Sequence, residues 1–420
     1  MKNPLRRGLA AAVLAGTLAL TSCAPAAHVA TDAPVAGFEY GADDAAVQAA
    51  IKDLPPIKLR FQSQSSPQGA TSQPVTQYLE EVTRRSGGKI TFETVWLTSG
   101  APYTELADAL NDGRLDIAVH VPSNQPEVMA VQESTGAATL VADGTSLVSE
   151  MATFGMLQEL TWGDEDLHRE LEEQGLHTLG PDVSPAGYFL SCTSPVTSAG
   201  DLEGKLVRIG TKRQREVVES VGAVPMSIPF SDTYEALQRG VLDCSLNSGT
   251  AVGVTRLNTA APYYYFWKDH GPADLSGSSV LYGSTVDELP LPYRQILFDA
   301  IPRYYDGQMH AIANTFVSAI KDARIRRGEV ETLPADVEAT WDEKNREALA
   351  GLIEEGHLDA DIESRASASY EAWKSQAEQD GIEDKGPVTE MDQWYTQPED
   401  FSAYAQQVFE KAALPHRPSE

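Results

Sequence analysis

The stretch from Gly204 to Ser248 places the strongest constraint on the fold, because strand-like and helix-like patterns alternate through it without a break. Lys205 to Ile209 reads as a short strand ending in Gly210, and a helix follows. Ala223 to Ile228 reads as a second strand, Ser231 to Arg239 as a helix closed by Gly240, and a third strand begins at Val241. Strands alternating with helices in this way predict an α/β layer with a largely parallel sheet. In such sheets the chemistry gathers at the carboxyl ends of the strands.

Two residues stand at those ends. Arg208 lies one residue before the end of its strand, and its planar fork of N–H donors matches a carboxylate in a way that a lysine does not. Asn247 follows the strand that begins at Val241 and offers both a donor and an acceptor. From the residues alone, two readings stand side by side. Either the two bind a ligand, or Arg208 alternates outward along a half-buried strand and Asn247 shapes a turn.

The run Pro229-Phe230-Ser231-Asp232-Thr233-Tyr234-Glu235-Ala236-Leu237-Gln238-Arg239-Gly240-Val241-Leu242-Asp243 is preceded by Asp201-Leu202-Glu203-Gly204-Lys205-Leu206-Val207-Arg208. In spacing and order it resembles the signature of solute-binding proteins of TRAP transporters (tripartite ATP-independent periplasmic transporters, the DctP type). Weaker similarity runs from Ile57 to about Lys344. The resemblance implies a bilobal α/β fold like that of periplasmic binding proteins, with two lobes joined by a hinge and a long helix bracing both. It implies that Arg208 meets the carboxylate of a small organic acid, with Asn247 beside it. Phe230 would line the pocket against the ligand's carbon skeleton, a place that is also core to its lobe. The implied partners are the solute and the membrane permease subunits of a TRAP transporter, with no cofactor and no metal.

The resemblance departs at Gly187-Tyr188-Phe189-Leu190-Ser191, where many relatives carry a second arginine and this chain has none. That argues against a dicarboxylate and for a mono-carboxylate. Lys212 is a candidate replacement charge, with Thr211 beside it, at a helix start whose backbone N–H groups favour anions. Equally, Lys212, Arg213 and Arg215 form a basic run of the kind that faces water.

The first lobe repeats the same construction. Ile57 to Ser63 alternates as a strand, and Gln64 to Gly69 is a polar turn. Gln73 to Arg85 is a helix with Val75, Tyr78, Leu79 and Val82 on one face, ended by Gly87-Gly88. Lys89 to Trp96 reads as a strand, Tyr103 to Asp112 as a helix, and Leu115 to Val121 as a third strand. The strand ends then carry Gln64 and Ser65, Tyr103, and Ser123 and Asn124, near positions where the resembled family places ligand contacts. Singly they are ordinary turn residues. Together they predict a neutral, hydrogen-bonding wall.

At the amino end, Lys2, Arg6 and Arg7 precede an apolar run from Leu9 to Leu20, too short to span a bilayer and suited to a signal peptide. Leu20-Thr21-Ser22-Cys23 resembles a bacterial lipobox, which makes Cys23 the expected lipid-modified residue of an extracytoplasmic protein held to the cell membrane by that anchor alone. An ordinary secretory signal with an incidental cysteine is the other reading. Ala24 to Pro56 is rich in Ala, Pro, Asp and Gly and is expected to be a flexible tether. Of three cysteines, Cys192 and Cys244 remain as a pair near strand ends in a compartment that permits disulfides. They are bridged or are two buried thiols. With 61 acidic residues against 32 basic ones, a formal charge of -29, nucleic acid and anionic lipid are poor partners for the mature surface, and no nucleic-acid partner is expected.

Farther along, Gln125 to Glu173 is expected to form helices flanking the first lobe, with Trp162 packed inside. Leu176 to Leu179 and Tyr188 to Cys192 read as strands, Thr250 to Thr259 as a helix, and Tyr263-Tyr264-Tyr265-Phe266-Trp267 as a strand with rings buried on both faces. Ser279 to Thr285 is a strand returning to the first lobe. Leu291 to Arg327 is a long helix interrupted at Pro302. Helices follow from Pro334 to Glu355, Asp361 to Glu378 and Phe401 to Lys411. The expected division is signal 1–23, tether 24–56, first lobe 57–185 with a return at 273–312, second lobe 186–272 with 313–344, and a helical extension 345–420. A binding lipoprotein of an ABC importer and a sensor-coupled binding protein are the rival classes. An enzyme is disfavoured, since no Gly-x-Ser-x-Gly, His-Glu-x-x-His or phosphate-loop motif occurs.

Overall fold

The computed structural model describes residues 35–67, 72–122, 125, 129–182, 187–228, 232–248, 257–271 and 277–419. Cys23 and the apolar run before it lie outside them, as does most of the expected helix from Thr250. Two sheets organise the chain, one in each expected lobe. In the first, β1 (Ile57–Gln62), β2 (Ile90–Val95) and β3 (Ile117–His120) run parallel. β10 (Ser279–Tyr282) enters antiparallel between β3 and β4 (His177–Gly180), giving the order β2-β1-β3-β10-β4. The second sheet contains β5 (Tyr188–Cys192), β6 (Leu206–Ile209), β7 (Val224–Ser227), β8 (Cys244–Ser248), β9 (Tyr263–Phe266) and β11 (Val330–Thr332), in the order β11-β9-β5-β8-β6-β7. β6 is parallel to β7 and β8, as the alternation through Gly204–Ser248 predicts, whereas β5 is antiparallel to β8 and β9.

Residues 35–56 correct the expected tether. Asp43 caps α1 (Asp44–Ala50) by accepting a hydrogen bond from the Ala46 N–H at 2.8 Å. Val47, Ile51 and Leu54 are buried in the main core. The Lys89 ammonium closes the other end, donating to the carbonyls of Ile51, Lys52 and Leu54 at 2.6, 2.6 and 2.7 Å. A cation on the last carbonyls of a helix offsets their partial negative charge. The helix has seven residues, too few for an apolar period to show in the sequence.

α2 (Gln73–Arg85) spans the expected residues and buries Val75, Tyr78 and Val82. A single turn at Tyr103–Glu105 leads into α3 (Leu106–Asn111), then come α4 (Ala130–Thr135), α5 (Leu147–Trp162) and α6 (Glu165–Glu172). Trp162 is buried, its indole N–H donating to the Tyr305 hydroxyl at 3.1 Å. In the second lobe α7 (Arg213–Ser220) and α8 (Thr233–Gln238) connect the strands. β8 starts at Cys244 rather than Val241, because the N–H groups of Val241 and Leu242 both fold back onto the Ala236 carbonyl to finish α8. Cys192 and Cys244 face each other across β5 and β8 and form a disulfide.

After α9 (Ser284–Asp287), the expected long helix is two: α10 (Leu291–Asp299) and α11 (Ile301–Ile325), with Pro302 in the first turn of the second, where its missing N–H costs nothing. α11 lies along α2 and reaches β9 and β11, so it touches both lobes. β11 was not expected; three residues are too few to carry an alternation. The carboxyl-terminal extension continues as α12 (Ala335–Glu354) on α7, α13 (Ile362–Gln379) on α5, α14 (Met391–Trp394) and α15 (Ser402–Val408) on α11. A Cβ at Gly155 would stand 2.5 Å from the Trp373 ring, so α5 needs glycine there for α13 to approach.

One buried carboxyl sits where the lobes meet. Glu150 on α5 accepts the Gly187 N–H at 2.7 Å, just before β5, and burial pushes its pKa up to about 8. The folded protein therefore holds a proton that the unfolded chain releases above its ordinary range. Stability should fall as pH rises from about 4.5 toward about 8, and Glu150→Gln should flatten that dependence. Denaturant midpoints of the two proteins at about pH 5 and about pH 9 measure the difference.

Candidate functional site

The carboxyl ends of β1 and β3 in the first sheet, and of β6 and β8 in the second, carry the polar groups. Arg208 is the third residue of β6, in register with Met226 of β7 and Ser245 of β8. Its guanidinium donates to the Leu246 carbonyl at 3.4 Å. A Cβ on Gly210 would stand 3.2 Å from Arg208 Nη1, so the glycine turn lets the side chain lie over it. Burial lowers the pKa of Arg208 from its ordinary value, offset in part by Tyr188 at the start of β5. Keeping a guanidinium charged in that setting costs free energy that a nearby anion would return.

Asn247 lies within β8, not after it, and is buried. Its Nδ2 donates to the Ser191 hydroxyl at 2.9 Å and to the Ser245 carbonyl at 3.0 Å, while its Oδ1 accepts from the Ser245 hydroxyl at 2.7 Å. Both amide N–H donors are thus held inside the second lobe, tying β5 to β8. Thr211 accepts the Gln214 N–H at 3.3 Å, and the Gln214 side chain accepts the Gly210 N–H at 2.7 Å. Lys212 is exposed at the start of α7. Its neighbour Arg213 turns inward instead, donating to the Glu133 carbonyl at 2.6 Å.

In the first lobe, Gln64 joins two elements. Its Nε2 donates to the Ser278 hydroxyl at 3.2 Å, and its Oε1 accepts from the Tyr103 hydroxyl at 3.0 Å. Burial pushes the Tyr103 phenol up to about 12, so it is a neutral donor near neutral pH. Its ring meets His120 edge-on at 5.7 Å. His120, the last residue of β3, pairs through Nε2 with Gln125 Oε1 at 2.9 Å, and burial lowers its pKa, keeping it neutral. Ser65 is buried, its N–H donating to the Ser63 hydroxyl at 3.1 Å. Phe230, Ser123 and Asn124 lie outside the described residues. A cavity of about 210 Å³ opens beside His120 and Gln125, walled by Leu106, Met129, Leu176 and Leu281.

His120, Tyr188 and Gln62 were not among the site residues expected from the sequence. Gln62 Oε1 accepts the N–H groups of Gly100 and Ala101, both at 2.9 Å, and its Nε2 donates to the Ala101 carbonyl at 2.9 Å, pinning the loop before Tyr103. Alternation gave no signal for either Gln62 or His120, because Gln62 falls in phase with the exposed Lys58 and Arg60 and β3 is buried at all four of its positions. Among the described residues no group of His, Cys, Asp and Glu is arranged to hold a metal ion, and no helix is long and apolar enough to cross a membrane. Among the described residues the second lobe holds a half-buried guanidinium at Arg208, and the first lobe holds a set of neutral donors and acceptors.

Residues 61–355 match the family described as bacterial extracellular solute-binding protein, family 7 (DctP). The C4-dicarboxylate-binding periplasmic protein DctP of Rhodobacter capsulatus is 26% identical over 269 residues, 58% of this chain and 78% of that protein. An uncharacterized protein, YiiZ, of Salmonella typhimurium is 26% identical over 198 residues, 45% of this chain, and the match spans only 60% of that relative's length. Among solved structures, DctP7 of Bordetella pertussis, an extracytoplasmic solute receptor binding pyroglutamic acid, superposes with a TM-score of 0.60 at 15% identity, covering 75% of this chain and 99% of that one. A marine metagenome TRAP solute-binding protein from an unidentified microbe, in complex with 3-hydroxybenzoate, gives 0.63 at 19% identity, covering 76% and 99%. At these identities the structural likeness speaks to the fold.

The hydrogen bonds of Asn247 generate a direct expectation. Asn247→Ala would leave the Ser191 and Ser245 hydroxyls short of buried partners and should destabilise the protein by about 2 to 3 kcal/mol. Urea unfolding should show a lower midpoint at an unchanged slope.

Proposed function

The chain belongs to bacterial extracellular solute-binding protein family 7, and from that premise we propose that it captures a small organic acid with a single carboxylate between its two lobes and delivers it to the membrane permease of a TRAP transporter. The observation that carries this reading is the half-buried guanidinium of Arg208 at the carboxyl end of β6, whose desolvation lowers its pKa. Lys212 is exposed and Arg213 is answered by Glu133, so the positive charge offered to the solute is that of Arg208. Tyr188 stands in the strand where relatives carry a second arginine, which supports one carboxylate rather than two. The remainder of the solute would meet Gln64, Ser65 and Tyr103 from the first lobe and Phe230 from the second, with Asn247 holding the strands beneath, and Thr211, Ser123 and Asn124 at the margins.

Closure of the lobes would take both charges out of water, which is favourable chiefly when a carboxylate answers the guanidinium. The chain thus acts as a receptor rather than an enzyme. The proteins it resembles in fold include receptors of pyroglutamic acid, 3-hydroxybenzoate and galactonate, all organic acids. Calorimetric titration with pyroglutamate, 3-hydroxybenzoate, galactonate and succinate tests the proposal. One of the three mono-acids should bind more tightly than succinate, and Arg208→Ala should weaken that binding by about 2 to 5 kcal/mol without lowering the melting temperature. Equal affinity in wild type and variant would remove Arg208 from the site.

The basic residues, apolar run and Cys23 at the amino end support an extracytoplasmic protein anchored to the cell membrane through lipid on Cys23. Cys23→Ala should move the protein from the membrane fraction to the soluble fraction of fractionated cells. Retention of the variant in the membrane would exclude the anchor.

A further inference from the structure

We infer that Arg213 and Glu133 are positioning residues for solute capture, joining the helix that follows the Arg208 strand to a first-lobe helix that also holds two of the crossovers between the lobes. The inference rests on the capture between lobes proposed above. Arg213 is the first residue of α7, and Glu133 lies on α4. Arg213 Nη2 donates to the Glu133 carbonyl at 2.6 Å and stands 3.5 Å from its carboxylate, with the two side chains 16% and 12% exposed. A pair this shielded from water is screened far less than a surface pair.

α4 belongs to the first lobe, since the Val131 N–H donates to the Glu170 carboxylate of α6 at 3.1 Å. The residue next to Glu133 holds the hinge. Gln132 Nε2 donates to the Pro181 carbonyl and to the Ser279 hydroxyl. Pro181 leaves β4 toward the second lobe, and Ser279 opens β10 on the return. Successive side chains of one short helix therefore grip the first two crossovers and the second lobe.

The other end of the linkage reaches the binding strand. The turn between Arg208 and Arg213 is drawn tight by the Gly210 N–H on Gln214 Oε1 at 2.7 Å and the Gln214 N–H on Thr211 Oγ1 at 3.3 Å. The backbone at Arg213 is thereby coupled to the end of β6, where Arg208 sits. Rotation of the second lobe about these crossovers would break the Arg213–Glu133 contact, so the pair favours the arrangement that keeps α7, and the β6 end before it, against α4.

Small-angle X-ray scattering of the full chain as purified tests the linkage without any solute. Arg213→Met and Glu133→Gln should each expand the particle, Arg213→Lys should lie between wild type and Arg213→Met, and the double variant should be no more expanded than Arg213→Met alone. Arg213→Lys and Glu133→Gln carry the test if Arg213→Met fails to fold. With pyroglutamate, 3-hydroxybenzoate and galactonate as probes, whichever acid binds wild type should leave Arg213→Met about tenfold faster. Scattering curves that superimpose on wild type, or expansions that simply add in the double variant, would overturn the inference. If no acid binds wild type, the capture proposal falls and the scattering alone decides the linkage.

Discussion

Alternation along a strand sends successive side chains to opposite faces of its sheet, and along β9 every one of those side chains is an aromatic ring. Tyr264 and Phe266 turn to the main core, where Phe266 meets Phe189 at 5.3 Å and Phe316 of α11 at 5.7 Å. Tyr265 and Trp267 turn to the second lobe's own core, where Trp267 meets Trp341 of α12 at 5.6 Å. One side of this sheet is thereby fastened to the helix that also packs on α2 of the first lobe, and the other to the start of the carboxyl-terminal extension. Both lobes are then built outward from shared helices, which is what lets a cleft exist without the halves drifting apart.

The electrostatics follow from the same burial. The chain as a whole carries a formal charge of -29, which repels an organic acid at a distance. Salt screens that repulsion beyond about 8 Å, so the proposed capture would depend on short-range contact rather than on long-range attraction. Burial keeps Tyr103 and His120 neutral, Glu133 answers Arg213, and the guanidinium of Arg208 is held where its ionisation is penalised. Under the proposed function a carboxylate would meet Arg208, while among the described neighbours Lys212 stays in water and Arg213 pairs with Glu133. The neutral wall gives orientation, because hydrogen bonds are directional whereas charge attraction is not.

Much of this was legible beforehand where an element is long or strongly patterned. α2 has thirteen residues with an apolar stripe, and its ends fall where Gln73 and Arg85 suggested. The return of β10 to the first sheet was visible because a run of apolar residues there is bounded by turn residues. The elements that escaped are short. α1 and β11 take their stability from partners far along the chain, Lys89 in one case and β9 in the other. The start of β8 shifted because closing α8 took the N–H groups of Val241 and Leu242 first.

By itself, the sequence determined the class of fold, the presence of two similar α/β lobes and the strand on which Arg208 sits, and it left Cys192 and Cys244 as bridged or as two thiols until the structure joined them. The first three are properties of local period and of a motif contiguous in the chain. Only the tertiary structure decided which polar groups are committed to the scaffold and which face the cleft. It turned Asn247 inward onto Ser191 and Ser245, left Lys212 in water while Arg213 crossed to Glu133, and folded residues 35–56 against the first lobe. The reason is physical: a side chain's role depends on what shields it and what answers its donors, and here those partners come from elements dozens to hundreds of residues away.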